Sequence, residues 1–124
     1  MGFRVLIVED SKASREFIAR TVERVPNVTT VTTASGFEAL KILPRDNFDL
    51  IITDINMPDI NGLELVSFLK NHPVYKSIPI MVISTESTDE DRRRAAALGA
   101  EEYLVKPFET SDLIEKLRRL LKVA

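Results

Sequence analysis

The chain has 124 residues and a mass of 14.0 kDa, which fits one domain over residues 1–124 burying roughly two-thirds of its unfolded surface. With 17 basic and 19 acidic side chains its net charge is -2, which argues against direct DNA binding, and the absence of cysteine excludes disulfides and thiolate metal sites. No apolar stretch approaches the roughly 18 residues of a membrane span and the start does not read as a signal peptide, so a cytoplasmic location without membrane contact is expected.

Arg4-Val5-Leu6-Ile7-Val8 predicts a strand over residues 4–9 that ends on Glu9-Asp10. Ser11 is placed to cap a helix through about residue 24, with Phe17, Ile18, Val22 and Val25 on its apolar face. Pro26-Asn27 breaks it. Residues 28–33 alternate poorly but are β-branched, which suits an edge strand. Ser35, with Glu38 three residues on, predicts a capping box. The helix it opens carries Phe37, Leu40 and Leu43 and stops by Pro44.

Residues 49–65, DLIITDINMPDINGLEL, organise the rest. Leu50-Ile51-Ile52-Thr53 reads as a strand buried on both faces, and it stops at Asp54. An acid is costly inside a sheet, so Asp54 is expected at the strand's carboxyl end, facing a crevice. Asn56-Met57-Pro58-Asp59 and Asn61-Gly62 turn the chain into a helix over residues 62–70, with Leu63, Val66 and Leu69 inward. Pro73 and Pro79 bound a loop, and the sole histidine, His72, beside it is expected to be solvated.

Ile80-Met81-Val82-Ile83 ends on Ser84-Thr85. Thr88 caps a fourth helix with Asp89, Glu90 and Asp91 in its first turn, and Gly99 closes it. That helix has no large apolar residue before Leu98, so it is expected to be loosely held and able to move. Arg92-Arg93-Arg94 reads as its solvated face. A short strand over residues 102–105 ends on Lys106-Pro107. The last helix, residues 110–122, has a wide stripe of Leu113, Ile114, Leu117, Leu120 and Leu121.

Five strands alternating with five helices predict an α/β, doubly wound five-stranded parallel sheet, flavodoxin-like, in the order 2-1-3-4-5. The switch point then lies between strands one and three, where Glu9-Asp10 meets Asp54. A lone Asp after a strand reads as a turn cap. Four strands ending in two acids, an acid, hydroxyls and an amine on one edge read as a site. Three gathered carboxylates repel, and Lys106 supplies one compensating charge. A divalent cation is the remedy, and all-oxygen ligation favours Mg²⁺. Such a site handles phosphoryl groups. The chain has no glycine-rich phosphate loop, so the donor comes from outside, and Asp54 can itself be the acceptor.

Glu9-Asp10, Asp54 with Met57-Pro58 and Gly62, Ser84, and Lys106-Pro107-Phe108 match, in order and spacing, the receiver domain of two-component response regulators. The chain resembles CheY-like, single-domain receivers of that family over essentially its whole length. The resemblance implies that Asp54 takes a phosphoryl group from a sensor histidine kinase or a phosphotransfer protein. It implies Mg²⁺ held by Asp10, Asp54 and the Asn56 backbone carbonyl, with Glu9 acting through water. Lys106 would pair with the phosphoryl group and Ser84 would move to bond it. The peptide before the equivalent of Pro107 is usually cis in the family.

Tyr103 matches the aromatic switch position, and is equally well read as an amphipathic ring at a strand start. Asn56 and Glu86 match positions that tune dephosphorylation. A downstream protein target is expected on the face made by the fourth helix, fifth strand and fifth helix. Two other classes stay open: a Mg²⁺-dependent phosphohydrolase with Asp54 as nucleophile, and a flavodoxin-like cofactor binder, in which the acids would repel FMN phosphate.

Overall fold

The computed structural model describes residues 2–86 and 88–122. The order of elements is β1 (Phe3–Val8), α1 (Lys12–Val22), β2 (Val28–Thr33), α2 (Gly36–Ile42), a 3₁₀ turn (Leu43–Arg45), β3 (Leu50–Thr53), α3 (Gly62–Lys70), β4 (Ile80–Ser84), α4 (Asp89–Leu98), β5 (Glu102–Val105) and α5 (Thr110–Leu121). The strands form one parallel sheet in the order β2-β1-β3-β4-β5. That is the expected doubly wound topology, with the polar β2 at an edge.

Strand side chains alternate between faces, and the two faces build two separate cores. Val5, Ile7, Leu50, Ile52, Met81 and Ile83 pack against Ile18 and Val22 of α1 and Leu113, Leu117 and Leu121 of α5. Leu6, Val8, Ile51, Ile80 and Val82 pack against Ala39 of α2, Leu63, Val66 and Leu69 of α3, and Ala95 of α4. Each central strand carries a continuous apolar run, residues 5–8, 50–52 and 80–83, because each has a helix layer on both sides.

The caps are local. Ser11 Oγ accepts from the Ser14 N–H, and Thr88 Oγ1 from the Asp91 N–H. Gly99 ends α4 at φ 110°, a left-handed conformation that favours glycine.

Four expectations need correction. The capping box at Ser35 is half formed: its hydroxyl accepts from the Glu38 N–H, while the complete reciprocal box joins Asn61 and Glu64 at the start of α3. Phe37 faces outward at 55% exposure, because α2 is only seven residues long and turns Ala39 to the sheet. Phe17 is 42% exposed and leans on Phe108, with ring centroids 5.8 Å apart, rather than entering the α1 core. His72 is half-buried, not solvated: its ring stacks on Tyr75 at 4.5 Å, and its Nδ1 accepts from the Val74 N–H.

Candidate functional site

Strand register builds the site. Val8 pairs with Thr53, so Glu9 and Asp54, the next residues of adjacent strands, leave the sheet side by side. The Asp54 N–H donates to the Val8 carbonyl, and the Glu9 N–H to the Thr33 carbonyl. Glu9 is 2% exposed and Asp54 9%, while Asp10 stands at the surface. One carboxylate oxygen from each of Glu9, Asp10 and Asp54 lies within 4.8 Å of the others.

Lys106 reaches the same place from the end of β5, just before a cis Lys106–Pro107 bond. Its amine lies 2.7 Å from Glu9 Oε2 and 3.8 Å from Asp54 Oδ2. Asp54 Oδ1 accepts from the Ile55 N–H at 2.8 Å. Burial, and then the Glu9 and Asp10 charges, hold the Asp54 carboxyl above its ordinary pKa against the pull of Lys106 and the Ile55 N–H.

The turn after Asp54 must pass α3 closely. A Cβ at Gly62 would collide with the Asp54 carbonyl, and the Gly62 N–H donates to the Ile55 carbonyl at 2.8 Å. Glycine at this position therefore shapes the floor on which Asp54 stands.

The remaining expected site residues form a second connected group. Ser84 is fully buried, and its Oγ accepts from the Glu86 N–H at 3.1 Å. The Glu86 carboxylate accepts from the Asn56 side-chain amide at 3.0 Å, bridging the loops after β3 and β4. The Glu86 carbonyl accepts from the Tyr103 hydroxyl at 2.7 Å. Burial, then the charges of Asp91 and Glu86, push the Tyr103 hydroxyl pKa up, opposed by Ser84 and Arg92. Arg92, Arg93 and Arg94 are all exposed, as expected of a solvated face, and the Arg92 guanidinium also lies over the Tyr103 ring, 5.9 Å from its centroid.

Sequence reasoning missed two residues. Arg15 Nη1 donates to the carbonyls of Glu9 at 2.9 Å and Asp10 at 3.4 Å. A cation in the first turns of a helix that lacks an acid there runs against the helix dipole, which was the available signal. Asp59 accepts from the N–H groups of Gly36, Phe37 and Ile60, tying the β3–α3 loop to the start of α2. Slight burial would raise its pKa, but these backbone donors outweigh it and hold the carboxyl below its ordinary value. Nothing local to Asp59 announces a partner 23 residues away.

Three carboxylates facing one amine leave negative charge uncompensated, and that charge adds to burial in raising the Asp54 pKa. The donors are all hard oxygens, so the residues fit a divalent cation of the Mg²⁺ kind. A doubly wound sheet with such a pocket at its switch point defines a phosphoryl-handling α/β domain.

Residues 5–118 match the family model of the response regulator receiver domain. The chain is 34% identical over 119 residues to a chemotaxis protein CheY homolog of Campylobacter jejuni, covering 95% of this chain and 92% of that one. It is also 34% identical over 119 residues to the transcriptional regulatory protein CusR of Escherichia coli, covering 96% of this chain but 51% of that protein, so it spans about half of CusR's length. Among solved structures, CheY4 of Vibrio cholerae superposes with a TM-score of 0.88 at 35% identity, covering 97% of this chain and 99% of that one. The receiver domain of a Francisella response regulator gives 0.89 at 28% identity, covering 98% of each. The chain belongs to the response regulator receiver family. It is a phosphorylation-dependent signalling switch of the two-component class, and receivers use Mg²⁺ at an acidic pocket of this kind. Among the described residues no helix is long and apolar enough to cross a membrane.

Proposed function

We propose that Asp54 accepts a phosphoryl group from a sensor histidine kinase or a phosphotransfer protein, and that a downstream protein reads the result on the α4–β5–α5 face. The observation that supports this best is the convergence of Glu9, Asp10, Asp54 and Lys106 on one small volume at the sheet's carboxyl edge. Asp10, Asp54 and the Asn56 carbonyl would hold Mg²⁺, with Glu9 acting through water. When bound, the ion neutralises charge on the transferring phosphoryl oxygens.

Asp54 Oδ1 is engaged by the Ile55 N–H, which leaves Oδ2, on the Lys106 side, as the attacking oxygen. Its bond to phosphorus forms as the P–N bond of the donor phosphohistidine breaks, and that electron pair stays on the imidazole. Lys106, now resting on Glu9, would swing to the new phosphoryl oxygens. Nothing in the relatives favours the phosphohydrolase reading.

A Ser84 hydroxyl drawn toward a phosphoryl oxygen would donate its own hydrogen there, and the shift would bring release of the Glu86 N–H from which Ser84 Oγ now accepts. Glu86 also holds Asn56 and Tyr103, so the release is felt at both. The disturbance at Tyr103 reaches a cavity of about 550 Å³ lined by Arg92, Tyr103, Val105, Phe108, Asp112 and Lys116, which supports the output face. The Asn56–Glu86 bond supports a role for that pair in governing water access during dephosphorylation.

Incubation with acetyl phosphate and Mg²⁺, followed by mass spectrometry, tests the reading. One phosphoryl group should appear on Asp54 of the wild type and none on Asp54→Asn or without Mg²⁺. Labelling of Asp54→Asn at the wild-type rate overturns it. Hydrogen exchange with and without beryllofluoride, a phosphoryl mimic, should change between residues 84 and 103. Changes confined to α1 and α2 would sink the output face.

A further inference from the structure

We infer that Arg15 is a positioning residue for the acid cluster, holding the β1–α1 turn in the shape that brings Glu9 and Asp10 to Asp54. The inference rests on the reading of that cluster as a Mg²⁺ and phosphoryl site. Arg15 engages three carbonyls in succession: its Nη1 donates to Glu9 and Asp10, and its backbone N–H donates to Ser11 at 2.8 Å. The whole turn that carries the acids is therefore gathered onto one residue.

The Glu9 carbonyl belongs to a residue that is 2% exposed. A part-buried carbonyl that loses its donor forfeits a hydrogen bond that water replaces only in part. Rotation of that peptide to find water would carry the Glu9 and Asp10 side chains with it. The Glu9 carboxylate is already fixed at its far end by the Ser11 N–H and the Lys106 amine. Arg15 supplies the remaining constraint, at the peptide between the two acids.

The charge is used with the same economy. Among the described residues Arg15 forms no salt bridge with Glu9, Asp10 or Asp54, and its guanidinium meets backbone oxygens instead. A positive charge is thereby kept beside three repelling carboxylates without occupying the oxygens a cation would bind. Lys106 does the opposite and sits on a Glu9 oxygen. The two cations therefore have different parts: one competes for the acid oxygens, the other leaves them free and aims them. Groups that orient metal ligands from behind typically change metal affinity 10- to 100-fold when removed.

The test compares wild type, Arg15→Met, Arg15→Lys and Asp10→Ala by calorimetric Mg²⁺ titration, with thermal melts in EDTA alongside. Met keeps most of the stem and removes every side-chain donor. Its Mg²⁺ affinity should fall about tenfold, with acetyl phosphate labelling recovering at high Mg²⁺. Lys keeps the charge but cannot reach the carbonyls with the same fork, and should fall between Met and wild type. Affinity within twofold of wild type in Arg15→Met overturns the inference, even if its melt in EDTA is lowered, since that pattern is a purely structural role. If Arg15→Met does not fold, Arg15→Lys decides: wild-type affinity overturns the inference, and a severalfold loss supports it. A wild type whose Mg²⁺ binding is absent, or is untouched by Asp10→Ala, overturns the underlying reading instead.

Discussion

Two helices flank β5, and the protein holds them very differently. α5 sinks Leu113, Leu117 and Leu121 into the core beneath β1, β3 and β4. α4 buries a single side chain, Ala95. Its C-terminal end is fixed by Gly99 and, just beyond, by Lys70, whose amine donates to Glu101 at 2.7 Å and to the Ile78 carbonyl at 2.9 Å. Its N-terminal end has the Thr88 cap and exposed acids. A helix anchored by one buried methyl group and a part-buried Leu98 can tilt at smaller cost than one anchored by three buried leucines. On the proposed output face, a helix with little buried surface therefore lies next to one that is firmly packed.

Leu117→Ala gives the largest expected effect on this contrast. Emptying a fully buried position in α5 should cost about 2–5 kcal/mol, read from urea unfolding. A loss below about 1 kcal/mol would mean that α5 is no better anchored than α4.

Gly62→Ala tests the held side at the pocket itself. The added methyl collides with the Asp54 carbonyl, so the strand end must move, at a cost of about 2 kcal/mol. Acetyl phosphate labelling should fall with it. Wild-type stability and labelling together would show that the close approach is not needed.

Ala95→Gly probes the loose side and should cost about 1 kcal/mol. Hydrogen exchange should quicken along Asp89–Leu98 and change little in α5. Equal quickening in both helices would collapse the distinction between them.

Two carboxylates on the loop after β3 sharpen the picture through pH, with opposite signs. Asp54 has a folded pKa raised above its unfolded value, so its charged form costs stability at neutral pH, and the cost fades as pH falls through that raised value. Asp54→Asn should melt above wild type at pH 7 without metal, and the gap should close in acid. Asp59 has a depressed pKa, so its contribution is present above the ordinary value of 3.8 and is lost as pH falls through the lower folded value. Asp59→Asn should melt slightly below wild type at neutral pH, the smallest effect of the series, and converge with it in acid. Melting curves that differ by the same amount at all pH values would remove either assignment.

Much of this architecture is legible in local pattern. Strands β2, β3 and β5 and helix α3 lie on the expected residues, because apolar runs bounded by Asp, Pro and Gly leave few other places to start or stop. Strand order follows from βαβ alternation and from one polar strand that must be an edge. The gathering of Glu9, Asp10, Asp54 and Lys106 follows too, since parallel strands that end in those residues share one edge.

Less legible were individual side-chain contacts and orientations. Glu86 serves Asn56, Ser84 and Tyr103 at once, although from sequence Asn56 and Glu86 read as one pair and Ser84 and Tyr103 as switch residues apart from it. Arg15 beneath the acids, Asp59 on α2, and the outward turn of Phe17 and Phe37 depend on how loops and helices settle against one another. Hydrophobic periodicity reports which face of an element is buried, because burial averages over many residues and tolerates small shifts. A side-chain hydrogen bond needs its partner within about 3 Å and well aligned. That precision exists only once the packed sheet has set the loops in place.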